Sequence, residues 1–408
     1  MKSEKSNPKQ WKPVRTAPFV TKPYFYTKDD AEKVAKTILR GKLTHSSGEE
    51  TKKLEREFAH YCGTQYALAT NSGTSALQLA VKAVGVGLGD EVILPAYTFI
   101  ASAQAILAQG GVPVFADLDD TFCISVNSVK KLITKKTKAI MVVHIFGNVA
   151  DVDGLKKVIG NRKIAIIEDC AQAIGANYKG KKAGNLWDIG CFSFNEKKAL
   201  PTGQGGMLTT SNKEFYRIAA ATRNTGIDKT VSSNEINTAG NTLFMTEMEA
   251  ALAREILKKL DKLNKARRMN FEYLNENLKK YKNNLIIYSI LKGADPSFSR
   301  IIFLIDFKKL GVTRDIFIEA VNKEGIPLRI FYPIPLYKCR LFQERKDAFI
   351  DNSFAFAKNK INYRKVFLPN AERFCEQQVG LEFSPYITKN DIDDVLIAIN
   401  KVMTEIIK

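Results

Sequence analysis

Three short segments of the chain carry residue types that could bind and activate a small molecule. The first is NSGTS, residues 71–75, between a predicted strand and the helix that follows it. Small residues let the backbone approach an anion closely, and the free N–H groups and dipole of a helix N-terminus favour a phosphate. Taken alone, this segment indicates either a phosphate site or an ordinary helix N-cap.

The second segment, IIEDCAQ over residues 166–172, places Asp169 at the end of an apolar strand. In an open parallel sheet, the carboxyl ends of the strands face the ligand crevice. A carboxylate there is suited to hold a protonated pyridine nitrogen, which makes a cofactor ring an electron sink. Considered by itself, Asp169 could equally cap the helix that follows.

The third segment, CFSFNEKKALPTGQGG over residues 191–206, brings two lysines into a turn after an apolar, strand-like stretch. A lysine among aromatic residues and near a phosphate could form a Schiff base with a carbonyl group. The reacting amine must be neutral, and a lowered pKa makes it so. The pair Lys197-Lys198 taken alone is more typical of a solvated surface.

The order and spacing of the three segments favour one shared site. A phosphate turn, an acid about 95 positions later and a lysine about 30 positions beyond the acid are the parts that surround pyridoxal 5′-phosphate (PLP) in an enzyme. The sequence therefore predicts a PLP enzyme in which Asp169 and one lysine of the pair Lys197-Lys198 are catalytic. No metal site is expected, because the six cysteines lack metal-type spacing.

The same segments resemble the DegT/DnrJ/StrS family of sugar aminotransferases, which have the fold type I architecture of aspartate aminotransferase. The resemblance covers about residues 25–400, and the block 166–206 is highly specific. The matching stretches are SGTSAL (72–77), GDEVILPAYTFIASA (89–103), GGVPVFADLD (110–119), HIFGNVADVDGL (144–155), IIEDCAQAIGA (166–176), DIGCFSFNEKKALPTGQGG (188–206) and MTEMEAALA (245–253).

The resemblance implies a role for each residue of the site. Lys198, four residues after Phe194, takes the place of the lysine that binds the cofactor, and Lys197 is its bystander. Asp169 is expected at the pyridine nitrogen, Gln172 near the phenolic oxygen, and the ring of Phe99 on the cofactor. The expected phosphate ligands are Ser193, Gly73, Thr74 and Ser75 together with Asn241, which in this family reaches the site of the other subunit of a homodimer.

The resemblance also implies transfer of an amino group from glutamate or glutamine to a keto sugar. A nucleotide-linked keto-deoxy sugar is the first expectation, in the synthesis of amino sugars, polysaccharides or secondary metabolites. A keto-cyclitol of the inosose type is the alternative, because KPVRT over residues 12–16 resembles the N-terminal arm of some cyclitol aminotransferases. Relatives with histidine at position 198 are sugar dehydratases, so the lysine favours transamination.

Three other functions stay open. The cluster GVGLG over residues 85–89 could belong to an enzyme that binds a nicotinamide cofactor or S-adenosylmethionine. However, it precedes a predicted strand, whereas a dinucleotide fingerprint follows one and opens a helix. The other two are a PLP-dependent dehydratase or lyase and a regulatory relative that binds PLP without turnover.

The elements that must position these residues alternate between apolar strands and helices. Strands are expected over 66–70, 91–95, 112–116, 139–144 and 163–167, and this pattern predicts an α/β fold with a largely parallel sheet flanked by helices. Residues 245–281 contain no Gly or Pro and predict one or two long helices. The predicted division is an extended arm (1–20), a large PLP-binding domain (21–260) and a smaller α+β domain (261–408).

Composition limits the partners. The net charge of +19 comes mostly from lysines spread along the whole chain, which favours a solvated surface that attracts small anions over a nucleic-acid site. No apolar run approaches the roughly 18 residues that a membrane helix needs, and the N-terminus does not resemble a signal peptide. With six cysteines interpreted as reduced thiols, the predicted location is the cytoplasm.

Overall fold

The computed structural model describes residues 12–232, 235–278, 286–344 and 361–406. Its α-helices are α1 (Lys28–Leu39), α2 (Glu50–Cys62), α3 (Gly73–Ala83), α4 (Ala101–Leu107), α5 (Val126–Leu132), α6 (Val152–Ile159), α7 (Lys213–Arg223), α8 (Glu247–Leu257), α9 (Leu260–Leu278), α10 (Phe307–Leu310), α11 (Arg314–Lys323), α12 (Arg340–Glu344), α13 (Pro369–Gln377) and α14 (Lys389–Ile406). No helix within these residues is both long and apolar enough to cross a membrane.

The strands form one large sheet and two small ones. Their bounds are β1 (Tyr66–Thr70), β2 (Glu91–Pro95), β3 (Val112–Ala116), β4 (Thr137–Val143), β5 (Ala165–Asp169), β6 (Asn177–Tyr178), β7 (Lys181–Lys182), β8 (Ile189–Ser193), β9 (Gly206–Thr210), β10 (Ile286–Ile287), β11 (Ala294–Asp295), β12 (Arg300–Leu304) and β13 (Gln378–Glu382). The large sheet has the order β1-β9-β8-β5-β4-β2-β3, and the small sheets have the orders β10-β12-β13 and β11-β6-β7.

The large sheet confirms the predicted α/β fold with mostly parallel strands. In the described chain only β9 reverses direction, because it pairs antiparallel with both β1 and β8, whereas β3, β2, β4, β5 and β8 pair in parallel. Its central strands are buried almost throughout, as their unbroken apolar sequences require when helices cover both faces. Strand β9 was not predicted, because its sequence GMLTT lacks a long apolar run.

The long helical stretch predicted after residue 245 forms two helices. Helix α8 begins at a capping box, in which Thr246 and Glu249 satisfy each other's backbone N–H groups, and α9 follows after a break at residues 258–259. Residues 279–281 of the predicted stretch lie outside the described chain. The predicted boundary at residue 260 coincides with the start of α9, and the division into domains stays a prediction.

The second sheet packs onto the same hydrophobic core as the first. Strand β12 pairs antiparallel with β10 and β13, and its Ile302 and Phe303 belong to the same buried cluster as Ile140 and Ile167 of the large sheet. Helix α14 packs against both α9 and α11. Strand β12 begins at Arg300, and this places Arg300 inside the sheet.

The described part of the N-terminal arm, residues 12–20, is neither helix nor strand. The side chain of Arg15 ties it to α14, since the guanidinium lies 2.6 Å from Asp391 and 2.8 Å from Asp394. Residues 1–11 of the predicted arm lie outside the described chain. The described part of the arm is therefore fixed against α14.

Candidate active site

The carboxyl ends of the parallel strands bring the three sequence segments to one edge of the large sheet. The turn after β1, the end of β5 and the turn after β8 line a cavity of about 410 Å³. Of the nine predicted site residues, seven line it: Gly73, Thr74, Phe99, Asp169, Gln172, Ser193 and Lys198. Ser75 and Asn241 do not line this cavity.

The N-terminus of α3 forms one end of the cavity. Ser72 is the N-cap, and its hydroxyl accepts a hydrogen bond from the Ser75 N–H at 3.1 Å. The other N–H groups of the first turn have no partner inside the helix, and Gly73 and Thr74 lie at the cavity wall. This end is therefore suited to an anion such as a phosphate. The Ser75 hydroxyl donates to Asn71 at 2.6 Å, so its predicted contact with phosphate stays a prediction.

Gly73 is required here because the helix start packs tightly onto β8. A Cβ on Gly73 would lie 2.8 Å from the Ser193 Cβ and 3.2 Å from the Phe192 carbonyl oxygen. Both atoms belong to strand β8, which is buried in the centre of the sheet and cannot yield easily.

We expect the Gly73→Ala substitution to lower the free energy of unfolding by about 1–3 kcal/mol, as overpacking does, and to weaken cofactor retention. Urea unfolding and dialysis of the loaded protein measure the two effects. Gly87→Ala is the matched control, because a Cβ there meets only one atom, at 3.9 Å. Equal stability of the two variants would contradict the tight packing.

Asp169 lies at the opposite side of the cavity, and its side chain is buried. Its carboxylate accepts hydrogen bonds from the Ser102 hydroxyl at 2.8 Å and the Ala171 N–H at 3.1 Å. Burial raises the pKa of Asp169, whereas these hydrogen bonds lower it. Within the described chain, the carboxylate has no ion-pair partner. A buried carboxylate of this kind is costly without a cation, and a protonated ring nitrogen would supply one.

Glu168 holds the end of β5 from the other face of the sheet. Its carboxylate accepts hydrogen bonds from the backbone N–H groups of Gly184, Leu186 and Trp187 at 2.8–3.0 Å. The His144 Nε2 lies 3.1 Å away, and because Nδ1 accepts from the Ala150 N–H, Nε2 is assigned as the donor. Successive strand residues point to opposite faces, so anchoring Glu168 also fixes the direction of Asp169.

Lys198 lies in the turn that joins β8 to β9, and backbone hydrogen bonds shape that turn. The Phe194 N–H donates to Gly205 at 2.9 Å, the Thr202 N–H to Phe194 at 2.8 Å and the Lys198 N–H to Asn195 at 2.8 Å. Lys198 is partly buried in the cavity, whereas Lys197 is exposed. Burial, and to a smaller extent the charge of Arg300, lower the pKa of Lys198 to about 8, whereas Asp169 acts in the opposite direction.

We expect the rate of PLP uptake to follow the neutral fraction of Lys198. Because only the unprotonated amine attacks an aldehyde, the rate should rise about tenfold per unit below its pKa and level off above about pH 8. Mixing the cofactor-free protein with PLP at pH values from about 6 to 10, and following the absorbance of the bound form, measures it. A rate that still rises steeply above about pH 10 would indicate an ordinary, exposed lysine.

Gln172 joins the cavity to the second sheet. Its side-chain carbonyl accepts from the Phe146 N–H at 2.9 Å, and its amide nitrogen donates to the Tyr332 hydroxyl at 3.0 Å. Phe146 adopts a left-handed backbone with φ of 56°, a strained conformation for a residue with a side chain. The side chain of Gln172 is thus held in one orientation beside the cavity, as its predicted place near a cofactor oxygen requires.

Sequence reasoning missed two residues of the site. Ser102 lies in α4, and its hydroxyl orients Asp169. Arg300 lines the cavity from the second sheet. No local sequence pattern indicated that Ser102 belongs to the site. In the sequence, Arg300 is indistinguishable from an ordinary polar residue at the start of an apolar strand.

Two predicted residues lie at the surface of this single chain. Phe99 lines the cavity, but its side chain is 57% exposed. Asn241 is exposed and outside the cavity, and its backbone donates to the Thr222 carbonyl at 2.8 Å. Its predicted contact with a phosphate therefore stays a prediction that depends on a second subunit.

The donor set fits PLP. A helix N-terminus suits its phosphate, and a lysine of lowered pKa suits its aldehyde. A buried carboxylate that has no ion-pair partner among the described residues suits its ring nitrogen. All three line the same cavity, of about 410 Å³, a size typical of cofactor sites.

Comparison with known proteins identifies the family of the chain. The model of the DegT/DnrJ/EryC1/StrS aminotransferase family matches residues 26–400. The chain is similar to the UDP-N-acetyl-3-dehydro-alpha-D-glucosamine 3-aminotransferase of Acidithiobacillus ferrooxidans, with 32% identity over 87% of this chain and 89% of that protein. It is also similar to the L-glutamine:2-deoxy-scyllo-inosose aminotransferase of Streptoalloteichus tenebrarius, with 31% identity over 86% and 85%.

Solved structures give the same result for the fold. The crystal structure of an aminotransferase from Psychrobacter cryohalolentis superimposes with a TM-score of 0.85, at 30% identity, over 96% of this chain and 100% of that one. The predicted fold type and family are therefore confirmed.

Proposed function

Because the chain belongs to the DegT/DnrJ/EryC1/StrS aminotransferase family, we propose that it moves an amino group onto a keto sugar, with Lys198 as the reacting amine. The chain is a PLP-dependent aminotransferase. The observation that supports the residue assignment is that Lys198, with its lowered pKa, and Asp169, a buried carboxylate without an ion-pair partner in the described chain, line the same cavity.

Each residue has a distinct task in this proposal. PLP, when bound, supplies an aldehyde that exchanges amines and a ring that accepts the electron pair of the bond that breaks. The Asp169 carboxylate keeps a proton on the ring nitrogen, and Ser102 holds that carboxylate in place. The Nζ of Lys198, once released by the incoming amine, takes a proton from the donor's α-carbon and returns it on the other side of the transfer.

For the acceptor, we propose a nucleotide-linked keto-deoxy sugar, with glutamate or glutamine as donor. The similarity to a UDP-sugar aminotransferase supports it. A keto-cyclitol is the second candidate, supported by the similarity to an inosose aminotransferase that is named for glutamine as donor. Both relatives are named as aminotransferases, which favours amino transfer over the predicted dehydratase and regulatory alternatives.

One experiment tests the function. The protein is loaded with pyridoxamine phosphate, and keto sugars, nucleotide-linked keto sugars and inososes are added one at a time. An acceptor should restore the absorbance of bound PLP at a rate that depends on its concentration. Glutamate or glutamine should then convert the protein back to the pyridoxamine form. If no ketone restores the absorbance and no amino acid removes it, the proposal is wrong.

We further propose that two copies of the chain complete the site and that the enzyme acts in the cytoplasm. The exposed ring of Phe99 at the cavity and the position of Asn241 outside it support a homodimer. All six cysteines carry free thiols, which agrees with a reducing compartment. Light scattering of the purified protein and the location of a tagged copy in cells test the two statements separately.

A further inference from the structure

Two arginines share one carboxylate beside the cofactor cavity. The Arg300 Nε lies 3.1 Å from one oxygen of Glu382, and the Arg329 guanidinium forms an ion pair with the other oxygen. Arg300 begins β12, Arg329 lies in the loop after α11, and Glu382 ends β13. The pairing of β12 with β13 places Arg300 directly opposite Glu382. The arrangement is therefore built into the register of the second sheet.

The same arginines stack against Phe331. The guanidinium carbon of Arg300 lies 4.4 Å from the centre of the Phe331 ring, and that of Arg329 lies 4.7 Å from it. Such contacts stabilise a cation that has lost part of its water. We call Arg300, Arg329, Glu382 and Phe331 the arginine pair site. Its two positive charges face one negative charge, so it keeps a net charge of +1.

The arginine pair site lies between two cavities. Arg300 and Phe331 line the cofactor cavity, whereas Arg329 and Glu382 line a second cavity of about 550 Å³. Lys197 lines both. The charged residues that line the two cavities are the cations Lys22, Lys197, Lys198, Arg267, Arg300 and Arg329 and the acids Asp169, Glu196 and Glu382.

Arg300 is more than a structural ion pair. Only 8% of the residue is exposed, it donates to Gln172 at 3.4 Å, and its charge is one of the causes that lower the pKa of Lys198. Among the described residues, Glu382 is the one acid that forms an ion pair with Arg300, and Arg329 shares it, so the charge of this buried arginine is incompletely neutralised. An anionic oxygen group at the cavity wall would restore the balance, and the planar guanidinium suits a carboxylate or a phosphate.

We propose that the arginine pair site binds the anionic group of a substrate during amino transfer. This inference rests on the proposed function and names residues that hold the substrate. Because Arg300 lines the same cavity as Lys198, the group it meets lies near the reacting amine. A carboxylate of the amino donor is thus the expected occupant, and a phosphate of a nucleotide-linked acceptor is the other source of the same chemistry.

Equilibrium binding to the PLP-loaded protein tests the site without turnover. Calorimetry with 2-oxoglutarate probes a carboxylate, and calorimetry with inorganic pyrophosphate probes a phosphate. We expect Arg300→Gln to raise the Kd for 2-oxoglutarate about 10- to 100-fold, the usual range for loss of a charged hydrogen bond, and Arg329→Gln to raise it less. Arg300→Lys should have an intermediate effect, since it keeps the charge but loses the planar fork.

The control is Arg340→Gln, which removes an exposed arginine that pairs with Glu344 in α12, away from both cavities. Thermal unfolding and PLP uptake show that each variant is folded, and Arg300→Lys serves if Arg300→Gln is not. A raised Kd for pyrophosphate alone would support the site with phosphate as its occupant. If the Arg300 and Arg329 variants bind both probes as tightly as Arg340→Gln does, the inference is wrong. A wild type that binds 2-oxoglutarate but transfers no amino group would refute only the proposed function.

Discussion

Replacement of Lys198 by alanine is expected to lower the rate of amino transfer by at least about 10²- to 10⁴-fold, the usual contribution of a positioned acid–base group. The substitution removes the amine that attaches PLP and the only proposed carrier of the α-proton. Rates are measured in single turnover, with donor and acceptor added separately. Borohydride reduction followed by peptide mapping should find the cofactor on the segment 191–206 of the parent and not of the variant.

Lys197→Ala is the matched control, because Lys197 is the neighbouring residue of the same type but is exposed. Covalent attachment should survive in this variant. If the reduced cofactor is found on Lys197, or if Lys198→Ala turns over at the parent rate, the assignment of the reacting amine is wrong. Peptide mapping gives this answer even if the acceptor sugar has not been identified.

Replacement of Asp169 by asparagine should lower the activity without lowering the stability of the cofactor-free protein. Loss of the charge at the ring nitrogen should lower the rate by about 10²-fold or more, as removal of one preorganised electrostatic contact does. Without the cofactor, however, burial raises the pKa of Asp169, so the folded state disfavours the charged form. At neutral pH the cofactor-free variant should therefore have an equal or higher free energy of unfolding than the parent.

The sign of the pH dependence follows from the same shift. The pKa of Asp169 is higher in the folded state than in the unfolded state. The free energy of unfolding therefore has its full value below the pKa of the unfolded state and falls as the pH rises through the pKa of the folded state. The advantage of the asparagine variant should thus disappear in acid. Asp153→Asn, at an exposed ion pair with Lys179, is the control and should change neither property strongly. A variant that loses activity and stability together would indicate a structural role for Asp169.

Much of the large sheet could be predicted because its strands are apolar and its turns contain small residues. The predicted strands over 66–70, 91–95 and 112–116 coincide with β1, β2 and β3. Since the carboxyl ends of parallel strands share one edge, the strand pattern also brought the phosphate turn and Asp169 together. The hydrophobic pattern of the strands was therefore enough to predict both the fold and the position of the site.

The rest depended on contacts between distant parts of the chain. Arg300 reaches the cavity only because β12 belongs to a second sheet that packs against the first. Ser102 becomes part of the site through a contact across 67 positions of sequence. The choice between Lys197 and Lys198 came from family resemblance, since no local pattern distinguishes two adjacent lysines in a turn.

In the turn between β8 and β9, the atoms that hold the backbone in shape are different from the side chain that reacts. Its hydrogen bonds join backbone atoms of Phe194, Thr202 and Gly205, so the side chain at position 198 takes no part in closing it. A change of a single codon there can therefore replace the reactive group while the inherited sheet folds as before. A new reaction can therefore evolve on the same fold without a loss in the free energy of unfolding.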